Sequence, residues 1–259
     1  MKMYIDTHLH LNSQQYENPL EIIEKANLVG VNKFITIGTT YQEFDEILNL
    51  VKHPQVYGTL GIYPTYDLDL DFNDVTRFIT KNLNSKIVGI GECGFNQPIN
   101  ENDRSLIKQE ELFRIQLELA LNLNLPVVVH TRNSDTETYE VLKSYKNKRL
   151  KGVIHCFVSD YAFAKKVLDL GFYLSFNGII TYKSGNSIYE SIKNSPIDRI
   201  ILETDAPYLT PEGYRNEINQ PKFIPVIAEK VAEIRGVSLE ILKEQVYKNS
   251  LELFDKISL

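Results

Sequence analysis

His8 and His10 close the run Tyr4-Ile5-Asp6-Thr7-His8-Leu9-His10, His130 closes Val127-Val128-Val129-His130, and His155 closes Val153-Ile154-His155. Glu92 and Asp205 end two further runs of this kind. Imidazoles and carboxylates are metal ligands, and a mixed set suits Mn²⁺, Zn²⁺, Co²⁺ or Fe²⁺ better than Mg²⁺, which favours oxygen and water. A divalent ion held this way lowers the pKa of a water and provides a nucleophile near neutral pH. One histidine on a strand is more often a hydrogen-bonded core residue than a ligand. Four histidines and two carboxylates at strand ends are harder to explain so, because burying them without compensation would cost several kcal/mol each. The residues alone point to a metal-dependent hydrolase.

Eight short β-type runs must position these groups: Met3–His10, Lys33–Gly38, Val56–Ile62, Ile87–Gly94, Pro126–Thr131, Gly152–Phe157, Phe172–Gly178 and Arg199–Asp205. Several are nearly continuous Val, Ile and Leu, the pattern of strands buried on both faces. Segments with helical apolar spacing lie between them, as in Leu112, Ile115, Gln116, Leu119 and Leu123, or Phe163, Val167, Leu168 and Leu170. Gly30 and Gly171 stand where helix C-caps are expected. A Pro- and Gly-containing loop, Ala206–Gln220, follows the eighth strand, and two more helices span roughly Pro221–Arg235 and Ser238–Lys256. The alternation reads as an α/β chain folded into a single (β/α)8 TIM barrel with extra C-terminal helices, one domain over residues 1–259. A doubly wound open sheet would usually carry a Gly-rich phosphate loop after its first strand, and none is present.

Alternation along a strand assigns faces. Asp6, His8 and His10 share one, as do Val88, Ile90 and Glu92, then Val128, His130 and Arg132, then Val153, His155 and Phe157, and finally Ile201, Glu203 and Asp205. Turned inward, these faces would cap the C-terminal mouth of a barrel with ionisable groups, where active sites of the fold lie. Cys93 and Cys156 should then point outward into the helix layer. Neither zinc-finger spacing nor a disulfide framework can be built from the two. His53, in Lys52-His53-Pro54, belongs to the surface at the opposite end.

Composition narrows the function. The chain has 259 residues, 43% hydrophobic and 24% charged, and is globular. Its net charge of −6 argues against broad electrostatic binding of nucleic acid. With no signal-peptide core and no run of 18 apolar residues, a cytoplasmic location without membrane association is the default expectation. No obligate protein partner is evident.

The motifs resemble those of the TatD family of metal-dependent deoxyribonucleases, a branch of the amidohydrolase-like TIM barrels. The resembling pieces are Asp6-Thr7-His8-Leu9-His10, Gly61-Ile62-Tyr63-Pro64, Gly89-Ile90-Gly91-Glu92-Cys93-Gly94, Leu125-Pro126-Val127-Val128-Val129-His130-Thr131-Arg132, Gly152-Val153-Ile154-His155-Cys156-Phe157 and Leu202-Glu203-Thr204-Asp205-Ala206-Pro207-Tyr208. They come in family order over nearly the full length. The resemblance implies a DNA substrate and two divalent ions drawn from Mg, Mn, Zn or Co. It implies that His8, His10 and Asp205 hold one ion, that His130 and His155 hold the other, and that Glu92 bridges them. The chain departs from the family pattern at Tyr63, where the pattern has His, and at Asn96, where it has Asp.

The implied reaction is phosphodiester hydrolysis by a two-metal-activated water, trimming DNA from a 3′ end. Asp205 orients the water and accepts its proton, Glu92 bridges, and Glu203 serves as a supporting group or proton acceptor. Arg132, Tyr63, Tyr208, Arg215 and Lys183 are the expected substrate and phosphate contacts, since aromatic rings beside cations stack bases and hold phosphates. The polar loop Phe95–Arg104 could close over the site. The alternative is a hydrolase of a small phosphoester, lactone or amide on the same scaffold, which the acidic charge favours. A third reading, a metal-bound barrel without catalysis, has only Tyr63 and Asn96 on its side.

Overall fold

A computed structural model describes residues 3–66, 71–99 and 103–258. Its strands are β1 (Tyr4–Leu9), β2 (Val31–Ile37), β3 (Val56–Leu60), β4 (Ile87–Asn96), β5 (Val127–Arg132), β6 (Gly152–Ile154), β7 (Tyr173–Phe176) and β8 (Ile200–Leu202). They form one parallel sheet in sequence order. The ends meet through a parallel bridge between Leu9 and Ala206, with His10 N donating to Ala206 O at 2.7 Å and Asp205 N donating to His8 O at 2.9 Å. Closure of the barrel therefore falls on residues singled out for chemistry.

The helices are α1 (Pro19–Asn27), α2 (Phe44–Leu50), α3 (Phe72–Asn82), α4 (Leu106–Leu123), α5 (Asp135–Lys143), α6 (Tyr161–Leu168), α7 (Tyr189–Asn194), α8 (Ile224–Arg235) and α9 (Leu239–Leu253). Local chemistry sets their ends. The Asn18 side chain accepts from Leu20 N ahead of Pro19, Asp160 accepts from Phe163 N, and Ser238 accepts from Ile241 N. At the far end of α8, Gly236 adopts the left-handed conformation that closes a helix.

Two apolar layers result. The larger packs the outer strand faces, including Val127, Val129, Ile154 and Leu202, against the helices. The smaller fills the lumen with Ile35, Ile37, Tyr57, Val88, Val128, Val153, Tyr173 and Ile201, and Leu253, Phe254 and Ile257 of the C-terminal segment join it. Val128, Val153 and Ile201 each stand two residues before His130, His155 and Glu203. Strand alternation thus carries those three groups from the lumen floor to the mouth.

Three expected placements are corrected. Phe157 does not share the inward face of Val153; β6 ends at Ile154, and Phe157 packs in the outer layer with Phe163 and Phe176. Ile90 does not share a face with Val88 and Glu92; it packs in the outer layer with Ile87 and Cys93. The β4 register slips once against β3 beside Gly89 and again against β5 between Ile90 and Cys93, so the alternation breaks twice and Glu92 still arrives inside. Cys93 is buried in the helix layer as expected, but Cys156 is not: β6 stops at Ile154, Cys156 turns through φ +46°, and its side faces the mouth. His53 lies at the opposite end, half-buried, with Nδ1 accepting from Gln55 N. Of the loop Phe95–Arg104, the first two residues extend β4, and residues 100–102 lie outside the described residues.

Candidate metal centre

Glu92 is the hub. Its Oε1 lies 2.8 Å from His130 Nδ1 and 3.0 Å from His155 Nε2, and its Oε2 lies 3.4 Å from His8 Nε2. Asp205 Oδ1 lies 3.4 Å from His10 Nε2 and 3.5 Å from His8 Nε2. The two carboxylate oxygens of Glu92 thus face different sets, His130 with His155 and His8 with the Asp205 side. Three overlapping trios, His8–His10–Glu92, His8–His155–Asp205 and Glu92–His130–His155, place ligand atoms within 4.8 Å of one another. All six residues expected as ligands converge at one point, from β1, β4, β5 and the chain just beyond β1, β6 and β8.

The donor set fits a cation. Both ring nitrogens of His8 are buried without a hydrogen-bond partner, which is costly unless something else satisfies them. His130 Nδ1 and His155 Nε2 approach within 3.2 Å while both face Glu92 Oε1. Atoms that all bear lone pairs come this close only around a proton or a metal ion. Burial holds the His8 imidazole below its ordinary pKa, with the charge of His155 adding to the effect, so its lone pair is free. Burial opposes charge on His155 too, but Glu92 and Glu203 outweigh it and raise that imidazole well above its usual range. Burial likewise works against ionised Glu92, yet the charge of His155 and bonds from His130 and His155 hold its carboxyl well below the usual carboxylate range. A proton and a metal ion compete for such imidazoles.

Supporting groups surround this set. Glu203 is fully buried, 3.4 Å from His155 Nδ1, and accepts from Cys156 N at 2.8 Å and Asn177 Nδ2 at 3.2 Å. It lies behind His155 and does not line the mouth. The rings of His8 and His155 stack at 3.9 Å, which fixes one against the other. Asp6 joins β1 to the segment beyond β8: Thr204 Oγ1 donates to Oδ2 at 2.5 Å, and Thr204 N donates to Oδ1 at 3.0 Å. Burial pushes the Asp6 carboxyl up to about 8. Asp205 sits in the left-handed region at φ +58°, a strain tolerated because its N–H is tied to His8 O.

The mouth opens into a cleft of about 1240 Å³. Arg132, Tyr63 and Tyr208 line it, whereas Lys183 and Arg215 do not. Their loops fold on themselves: Tyr182 Oη donates to Thr210 O at 2.5 Å, the Arg215 guanidinium lies 4.4 Å over the Tyr182 ring, and Lys183 is exposed. Among the described lining residues Arg132 is the only Lys or Arg, and Glu43 and Glu46 line the same cleft. Tyr66, on the loop after β3, is a lining residue that sequence reasoning missed; it is 47% exposed, beside Tyr208 at 51%. Its ring packs on Tyr63 at 4.7 Å and Tyr208 packs on His10 at 5.8 Å. Its only sequence signal was an aromatic residue two places after Pro64. Asn96 was also missed as a site residue, and its carboxamide lies 3.2 Å from His130 Nε2.

The profile of a family described as TatD related DNase matches residues 5–255. An uncharacterized metal-dependent hydrolase of Bacillus subtilis, YabD, is 30% identical over 254 residues, covering 97% of this chain and 99% of its own. The 3'-5' ssDNA/RNA exonuclease TatD of Pantoea ananatis is 33% identical over 261 residues, covering 97% and 99%. The crystal structure of YJJV, a TatD homolog from Escherichia coli, superposes with a TM-score of 0.91 at 25% identity, covering 97% of this chain and 98% of the other. Barrel, family profile and relatives agree, and the chain belongs to the TatD family of metal-dependent hydrolases.

Proposed function

We propose that this chain is a cytoplasmic two-metal deoxyribonuclease that hydrolyses DNA phosphodiester bonds from the 3′ end, with residues 1–259 acting as one catalytic domain. The observation that carries the reading is Glu92, with one oxygen toward His130 and His155 and the other toward His8. In this reading His8, His10 and Asp205 would hold one ion and His130 and His155 the second, with Glu92 shared between them. The ions, drawn from Mg, Mn, Zn or Co, supply Lewis-acid activation of a water and screen the charge that develops on the phosphate. Asp205, whose carboxylate faces the cleft, takes the proton of the attacking water on an oxygen. Glu203 keeps His155 in one orientation from behind. Arg132 pairs with a non-bridging phosphate oxygen, and Tyr66 and Tyr208 offer ring faces to the terminal bases.

The thin supply of cations favours an end over an internal site. A terminal nucleotide brings one or two phosphates to the metals and Arg132, whereas a long tract needs a basic groove. The Pantoea ananatis relative, named for exonuclease action on single-stranded DNA and RNA, supports this choice. The same scarcity favours a second reading, hydrolysis of a small phosphoester, lactone or amide. End-labelled single-stranded DNA with Mg²⁺ or Mn²⁺ separates them. The expected result is a ladder of shortened products, abolished by EDTA and reduced at least about a hundredfold in Asp205→Asn. Intact DNA alongside hydrolysis of a chromogenic ester or lactone would give the second reading the stronger claim. Equal activity in wild type and Asp205→Asn would remove Asp205 from the chemistry.

A further inference from the structure

His130 presents Nδ1 to Glu92, so its other nitrogen must be accounted for. Nε2 lies 3.0 Å from Tyr63 Oη and 3.2 Å from Asn96 Oδ1, and Tyr63 Oη itself donates to Asn96 Oδ1 at 3.1 Å. These three side chains come from three elements: the loop after β3, the end of β4, and β5. The orientation of the Asn96 amide is set from outside. Its Nδ2 donates to Gln97 O at 3.2 Å, and flipping the amide would put two carbonyl oxygens face to face there. The backbone of Asn96 is itself gripped by buried Gln109, whose Oε1 accepts from Asn96 N at 2.9 Å and whose Nε2 donates to Asn96 O at 2.9 Å. Oδ1 is thereby held as an acceptor with two lone pairs. The Tyr63 hydroxyl takes one. The second is matched only by an N–H on Nε2 of His130.

We infer that Tyr63 and Asn96 form a positioning pair that keeps the proton of His130 on Nε2 and so delivers Nδ1 as its metal-binding atom. The inference rests on His130 being a ligand, as proposed above. It replaces the expectation that Tyr63 contacts phosphate, because the hydroxyl is committed to Asn96. A neutral amide in this place fixes the ring without adding charge to a site that already holds Glu92, Glu203 and Asp205. Neither residue touches substrate or ion; both act through the imidazole. Partners of this kind typically change metal affinity about 10–100-fold when removed.

The test is calorimetric titration of the full-length, chelator-treated protein with Zn²⁺, beside ¹⁵N imidazole spectra of the Zn²⁺-loaded form. Wild type is expected to bind two equivalents, with a protonated Nε2 and a metal-shifted Nδ1 on His130. His130→Ala should lose one equivalent. Asn96→Leu should weaken the same equivalent about 10–100-fold, Tyr63→Phe by less, and Asn96→Asp, which keeps the acceptor, should hold it near wild type. Tyr63→Phe keeps the ring packing, so it reads the hydrogen bond even if Asn96→Leu folds poorly. Loss in His130→Ala with wild-type affinity in both Asn96→Leu and Tyr63→Phe would overturn the inference alone. Two unimpaired equivalents in His130→Ala would overturn the ligand assignment and the inference with it. A His130 spectrum with protonated Nδ1 and metal on Nε2 would also overturn it.

Discussion

The two exposed tyrosines at the mouth carry the sharpest question about substrate. Tyr66 and Tyr208 come from different loops and line one cleft, each braced by a ring already tied to the site, Tyr63 or His10. A face that is half exposed and backed from behind loses little freedom when a base settles on it. Base–aromatic stacking is worth about 1–3 kcal/mol per base, and every base has a π-face. Tyr66→Ala and Tyr208→Ala are therefore expected to lower kcat/KM on short single-stranded DNA by about tenfold to a hundredfold, chiefly through KM, because stacking is present before and during the chemical step. Tyr→Phe at either place should retain most of the activity. A Phe variant as damaged as the Ala variant would mean that the hydroxyl, not the ring, is used. Steady-state rates on oligonucleotides of equal length and different terminal base check both the size of the effect and its tolerance of base identity.

Among the elements, β4 bears the closest packing. Gly94 pairs with His130 across the β4–β5 ladder at φ +139°, and a Cβ built there would strike the backbone oxygen of His130. Gly94→Ala must push β5 away and drag His130 from Glu92, so it should cost about 2–3 kcal/mol of stability and lose one metal equivalent. Gly171→Ala is the control: φ is +89° with open space around it, so only the left-handed penalty of about 1–2 kcal/mol applies and metal binding should be unchanged. Thermal melts and metal titration of the two variants separate local strain from damage to the centre. The same elements show what the sequence can carry. His130, His155 and Glu203 were legible because each sits two places beyond a residue that fills the lumen, and alternation survives over that distance. Ile90 and Cys156 were misjudged because a register slip and a left-handed turn leave no trace in the hydrophobic pattern. The meeting of Tyr63 with Asn96, 33 residues apart, was hidden for another reason. Their contact depends on how far each strand end projects, which spacing does not encode. Lys183 and Arg215 do not line the cleft, because following the seventh or eighth strand in the chain is not nearness to the mouth; their loops are held by Tyr182 and Thr210 instead.

Taken as one body, the protein is an acidic barrel whose mouth has little positive charge of its own. The net charge is −6, and the described cleft residues set Arg132 against Glu43 and Glu46 as well as the ligand carboxylates. The floor is closed by Phe254, Leu253 and Ile257 packed into the lumen, so the mouth is the face open to substrate. Long-range steering of a polyanion toward such a surface is weak, and in the proposed reading metal ions would supply most of the local positive charge. Salt then becomes a measure of how much DNA is held. Each phosphate neutralised by protein cations contributes about −0.7 to the slope of log K against log salt for single strands. A protein that grips only the terminal one or two phosphates should show a slope no steeper than about −2, unchanged as the oligonucleotide is lengthened. An enzyme that tracks an extended strand would instead steepen with length until its groove is full. Binding of the metal-loaded wild type to oligonucleotides of increasing length, their 3′-terminal linkages made resistant to hydrolysis as phosphorothioates, can be followed by fluorescence anisotropy across a salt series. A slope that grows with length would show a longer track than this cleft provides and would count against end-only recognition, while a short, constant slope ties the whole charge distribution of the barrel to trimming from an end.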